Sequence, residues 1–188
     1  MTTVGFIGLG IMGGPMAANL VKAGFDVIGH NRSPEPTQRL VEQGGRGADS
    51  LAEAVRDAAV VVTMLPDSSD VEAVALGEDG IYAHAKPGTL HLDMSSIRPD
   101  VATQVAEAGK ERGIRVLDAP VSGGERGAID ATLSIMAGGD PNDFADARPV
   151  LEAVGRTVVH VGPVGAGQTV KAANQLIVDG TIELVAEA

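Results

Sequence analysis

Apolar residues fall in short runs along this chain, separated by longer stretches in which they recur every three or four positions. The first run is Val4-Gly5-Phe6-Ile7, unbroken by any charge. Such a run reads as a strand buried on both faces. Gly13 to Ala23 then reads as a helix, with Met12, Met16 and Leu20 on one face and Gly24 to end it. Pro15 is tolerable there because it falls in the first turn. Asp26 to His30 is a second strand, and Pro34 to Gln43 a helix that opens on proline. Ser50 to Arg56 is a short helix whose Ser50 and Glu53 form a capping box. Ala59 to Met64, apolar but for Thr63, reads as a strand, and a helix follows to about Leu76. Gly88 to Asp93 and Ile114 to Leu117 are strands, on either side of a helix over Pro99 to Arg112 with Val101, Val105 and Ala108 as its stripe. Ser134 to Ala137 and Thr157 to Val161 bracket a helix over Pro141 to Ala153. From Gln168 onward the pattern is helical, with Gly180 the first breaker. Alternating strands and helices predict an α/β fold built on a doubly wound, mostly parallel sheet.

The turn after the first strand carries the first candidate chemistry. Gly8-Leu9-Gly10-Ile11-Met12-Gly13 fits G-x-G-x-x-G between a strand and a helix. Gly8 permits the tight turn, Gly10 lets backbone approach a pyrophosphate, and Gly13 lets the helix pack close to the sheet. The helix start directs its N–H groups and positive dipole end at the phosphates. The alternative is a glycine-rich turn without a ligand; strand, glycines and helix in this order favour dinucleotide binding. About 20 residues past the glycines, the position that reads the ribose holds Asn31-Arg32-Ser33 rather than an acid. An arginine and two small polar groups suit a 2′-phosphate, so NADP is expected before NAD; otherwise Arg32 is a loop arginine. In an open α/β sheet the loops at the carboxyl ends of strands line the ligand crevice, which makes Met64, Leu65 and Pro66 a candidate cofactor wall.

Composition narrows the partners. The net charge of −11 argues against nucleic acid and an anionic membrane surface. An anionic cofactor is still compatible with it, because backbone N–H groups hold phosphate locally. There is no cysteine, so thiol chemistry and cysteine metal sites are excluded. No signal-peptide pattern and no apolar segment long enough for a bilayer is evident, so the expectation is a soluble cytoplasmic protein. The four histidines show no metal spacing, no metal is expected, and no G-x-S-x-G elbow is present.

Two further stretches stand out. Ser122-Gly123-Gly124 follows a strand end and is either an ordinary turn into a helix or a small anion nest suited to a carboxylate. Lys171, Asn174 and Gln175 share one helical face among apolar neighbours. A lysine whose pKa is lowered by burial can transfer protons; the alternative is a snorkelling lysine beside surface amides.

Taken with Met64-Leu65-Pro66, Asp93-Met94-Ser95-Ser96, Asp118 to Gly124 and Gly167 to Gln175, the glycine motif as far as Leu20 resembles the β-hydroxyacid dehydrogenase family along the whole chain. The resemblance implies a Rossmann-type domain over residues 1–163 and, over 164–188, the start of a long interdomain helix. It implies Lys171 as general acid and base. Ser122, Gly123, Gly124, Asn174 and Gln175 would hold a small acid substrate, with Ser96 beside the cofactor. Within the family, the stretches at 74–81, 122–130 and 171–178 are similar to tartronate semialdehyde reductases, with a 3-hydroxyisobutyrate or related dehydrogenase as the alternative. A non-catalytic nucleotide-binding module is the alternative of another class. Family members continue into an all-helical domain and form homo-oligomers. This chain stops inside a helix, so it is expected to be truncated, poorly active and prone to associate through an uncovered apolar face.

Overall fold

The computed structural model describes residues 1–188. Strand β1 (Thr3–Ile7) lies between β2 (Asp26–His30) and β4 (Val60–Thr63), and all three run parallel. Beyond β2 lies the two-residue β3 (Arg46–Gly47); beyond β4 lie β5 (Leu90–Asp93) and β6 (Arg115–Asp118), again parallel. The chain thus works outward from β1 on one side, then returns and works outward on the other. That reversal, between β1 and β4, is the switch point where an open α/β sheet leaves a crevice at its strand ends. The far edge departs from the parallel order: β8 (Leu133–Gly138) runs antiparallel to β6 and to β7 (Val121–Ser122), while β9 (Gly155–Gly162) pairs parallel with β8.

Two apolar layers cover the sheet. Alternate strand residues such as Val4, Phe6 and Val62 pack on one face under α1 (Gly13–Lys22), α2 (Pro34–Glu42) and α8 (Pro141–Val154). Ile7, Val61 and Val116 pack on the other under α3 (Leu51–Val55), α4 (Ser68–Leu76), α5 (Ile81–His84) and α6 (Pro99–Glu111). Both faces being dry explains why β4 is valine up to its last residue, Thr63. Ser50 accepts the Glu53 N–H at 3.2 Å and Glu53 accepts the Asp49 N–H at 2.9 Å, so the capping pair forms one residue out of the usual register.

Several elements escaped the periodicity. β3 and β7 have two residues each and α5 has four, too short for any period to show. The stretch after Gly123 becomes α7 (Gly124–Ile129). The last helix, α9 (Ala166–Glu187), starts two residues before the expected Gln168 and runs straight through Gly180. One glycine in a helix costs about 0.5–1 kcal/mol, too little to break so long an element. No helix is long and apolar enough to cross a membrane.

Candidate functional site

The glycine loop follows β1 directly. Gly8 adopts φ +93°, and a Cβ there would strike the carbonyl oxygen of Met64. A Cβ on Gly13 would collide with the Gly8 carbonyl oxygen and stand 3.0 Å from the Phe6 ring, so α1 is seated directly on the loop. Gly10 differs from both: nothing lies within 4 Å of where its Cβ would be, and its surface is open. The Asn31 side chain fastens this loop to the end of β2. Its Oδ1 accepts the Leu9 N–H at 3.0 Å, and its Nδ2 donates to the Ser33 carbonyl at 3.2 Å and to the Ser33 hydroxyl at 3.0 Å. Arg32 is exposed and makes no ion pair.

These groups surround a cleft of about 650 Å³ at the carboxyl ends of β1, β2 and β4. That volume lies within the roughly 300–1,000 Å³ usual for ligand clefts. Every residue expected on the cofactor side lines it except Leu9, which is buried beneath. Gly8, Gly10, Ile11, Met12 and Gly13 form one wall; Asn31, Arg32 and Ser33 close the β2 end; Met64, Leu65, Pro66 and Ser96 stand opposite. His30, Leu51, Asp70 and Val74 also face it and were not foreseen. An open glycine backbone at the floor fits the pyrophosphate of a dinucleotide.

The residues expected on the substrate side sit elsewhere, and none of them lines this cleft. Ser122 closes β7, opposite Ser134 of β8. Gly123 and Gly124 follow at φ +141° and +61°, backbone that glycine tolerates best, and α7 starts at once. A turn into a helix is therefore present, with the two glycines exposed at its start. Asn19 of α1 holds the other end of α7, donating to the carbonyls of Ala128 at 2.8 Å and Ile129 at 3.2 Å.

Lys171 is nearly buried, at 9% exposure, on the second turn of α9. Its Nζ donates to Gln175 Oε1 at 2.8 Å, and Asn174 Nδ2 donates to the same oxygen at 3.2 Å. The structure thus gathers the lysine and both amides into one cluster. Burial lowers the Lys171 pKa, opposed by the charge of Asp179 on the same helix. Farther along, Leu176, Ile177, Ile182, Leu184 and Val185 are exposed.

Residues 3–162 match the family model described as the NAD binding domain of 6-phosphogluconate dehydrogenase. A 3-hydroxyisobutyrate dehydrogenase from Pseudomonas aeruginosa is 47% identical over 188 residues, all of this chain and 63% of the relative. The chain belongs to the β-hydroxyacid dehydrogenase family. From the same organism, a relative named NAD-dependent L-serine dehydrogenase is 45% identical over 99% of this chain and 64% of its own length. Among solved structures of the family, a 3-hydroxyisobutyrate dehydrogenase from Mycobacterium tuberculosis, described with L-serine, superposes with a TM-score of 0.90 at 42% identity, covering 95% of this chain and 60% of that one. The chain spans about three fifths of the length of these relatives. The two named as 3-hydroxyisobutyrate dehydrogenases support the expected alternative better than tartronate semialdehyde reductase.

In this member of the family, buried polar groups link the strand ends below the site. Asp93 and Asp118 are directly in register on β5 and β6, and both are buried. Asp93 Oδ1 accepts from the Thr63 hydroxyl at 2.8 Å and the Ser95 N–H at 3.2 Å, while its Oδ2 has no partner. Burial pushes its pKa up. With Thr63 donating to Asp93, His91 Nε2 is the donor to Thr63 and its Nδ1 accepts from Tyr82. Burial holds His91 neutral, its pKa near 4. Asp118 is pushed up to about 6, first by burial and further by the charge of Asp93, against two backbone N–H donors. Those donors belong to Gly165 and Gln168 at the start of α9. The sequence reading passed over Asp118 and Gln168. Their one signal was position, an acid at the end of one strand, three residues before Val121, and a glutamine three before the lysine.

Proposed function

We propose that the protein oxidises a short β-hydroxyacid of the 3-hydroxyisobutyrate type, reversibly, with NADP as cofactor before NAD. The observation that carries this reading is the pairing of an open glycine-loop cleft with a nearly buried, amide-held lysine on α9 of the same chain. When bound, the nicotinamide supplies a hydride acceptor. Gly10 leaves room for the pyrophosphate, and the N–H groups of Ile11, Met12 and Gly13, which no carbonyl takes, would donate to it, since Gly14 N–H is spent on the Gly10 carbonyl and Pro15 has none. Asn31 spends its carbonyl on Leu9 and its amide on Ser33. It is thereby unavailable to accept from two ribose hydroxyls, whereas the unpaired Arg32 suits a 2′-phosphate.

On the substrate side, the Ser122 hydroxyl and the Gly123 and Gly124 amides hold the carboxylate. Lys171, whose burial favours the neutral amine, would take the hydroxyl proton on its lone pair as the C–H hydride passes to the acceptor, and would return that proton in reduction. Gln175 accepts one Nζ hydrogen and aims the rest. Asn174 positions the substrate.

Steady-state rates on 3-hydroxyisobutyrate and on tartronate semialdehyde test the substrate reading. The expected result is a higher kcat/KM for the former pair of substrate and product. A clear preference for tartronate semialdehyde would restore the other reading.

A further inference from the structure

Helix α9 begins without a cap of its own. Gly165 has no side chain to offer, and the first turn contains no acidic residue. The first N–H groups of a helix need outside acceptors. Asp118 supplies them from 47 residues away: Oδ1 accepts the Gly165 N–H and Oδ2 the Gln168 N–H, each at 2.8 Å. Two separate oxygens on two separate amides fix the rotation of the helix start as well as its distance from β6.

The backbones meet here too closely for any side chain. A Cβ on Gly167 would stand 2.8 Å from Asp118 Oδ2, and one on Gly138 would stand 2.9 Å from the Gly167 nitrogen. Gln168 pins the same turn from the β5 side. Its Oε1 accepts the Ile97 N–H at 3.0 Å and its Nε2 donates to the Ser95 carbonyl at 2.8 Å. Lys171 lies three residues later, on the same face. Past it the helix turns exposed, so the lysine is held from its N-terminal side.

We propose that Asp118 is a positioning residue for Lys171: its carboxylate clamps the first turn of α9 to the end of β6 and thereby fixes where the lysine amine stands. This rests on the reading of Lys171 as the proton-transfer group. The test reads the amine itself rather than turnover, so the two can fail separately.

The 188-residue chain is dimethylated with ¹³C on its lysines and titrated by NMR, the Lys171 signal being assigned with Lys171→Arg. In the unaltered chain Lys171 titrates below a free lysine side chain. In Asp118→Asn its midpoint rises toward the free value. Asp140→Ala is the control: it removes the side-chain cap of α8, where Asp140 accepts the Asn142 N–H at 2.8 Å, and touches nothing in α9. Both variants melt at lower temperature, but only Asp118→Asn moves Lys171. An unmoved Lys171 in Asp118→Asn, or an equal rise in Asp140→Ala, overturns the proposal. Should Asp118→Asn not fold, amide exchange in the unaltered chain decides. Gly165 and Gln168 amides exchanging as slowly as those of β4 support the clamp, and exchange as fast as at the exposed end of α9 overturns it. Full turnover by Lys171→Ala beside a shifted amine in Asp118→Asn would sink the catalytic reading and leave the clamp standing.

Discussion

The two candidate sites are built in opposite ways. The candidate nucleotide cleft is made mostly of loops that follow β1, β2, β4 and β5, and its main wall is a single run from Gly8 to Gly13. Its side-chain ties are of moderate span: Asn31 to Leu9 across 22 residues and Ser95 to Leu65 across 30. The lysine side instead hangs on contacts between distant segments. Asp118 reaches Gly165, Gln168 reaches Ser95 across 73 residues, and Asn19 reaches Ala128 across 109. A site made of backbone at one turn is specified by a short motif. A site made of helix placement depends on side chains that the motif does not contain.

That contrast can be broken or sharpened by substitution. The largest effect is expected for Lys171→Ala: turnover falls by roughly 10²–10⁴-fold while nucleotide affinity holds, because the lysine lies outside the cleft. Equal losses in both would mean that the two sites are one. Next comes a pH effect at Asp118, whose folded pKa of about 6 stands above the ordinary 3.8. A raised value means that its contribution is present below about pH 4 and is lost as pH climbs through about 6. The unfolding free energy of the unaltered chain, minus that of Asp118→Asn, should therefore fall by on the order of 2–3 kcal/mol across that interval. Urea denaturation at several pH values reads the difference, and a flat difference contradicts it. Gly13→Ala, which forces a Cβ onto the Gly8 carbonyl, should cost about 1–3 kcal/mol in the same measurement. The smallest effect is expected at the cleft mouth, where Arg32→Ala should weaken NADPH by roughly tenfold and leave NADH unchanged. Equal loss for both nucleotides would make Arg32 a general phosphate contact.

Much of this architecture is legible in the sequence because dry strands and amphipathic helices leave periodic traces. Val60 to Val62 could only be a buried strand, and the helix stripes at Val101 and Val105 are indeed buried. The antiparallel turn at β8 left no such trace, since direction is set by the partner and not by the run itself. The cofactor-side residues were found because glycine spacing has a steric meaning at each position. Asp118 was missed for the converse reason: a carboxylate at a strand end looks the same whether it meets water or caps a helix 47 residues away. His91 is fully buried, and its links to Thr63 and Tyr82 cross strands and layers that spacing alone does not bring together.

In the proposed nucleotide site the glycine loop is the main wall, with Gly10 serving the ligand and Gly13 serving the fold. Titration of the 188-residue chain and of Gly10→Ala with NADPH and NADH, beside their melting temperatures, tests it most directly. Nothing surrounds the Gly10 Cβ position, so the variant should melt with the unaltered chain yet bind both nucleotides much more weakly. Undiminished binding by Gly10→Ala, or no binding by the unaltered chain, would contradict the account.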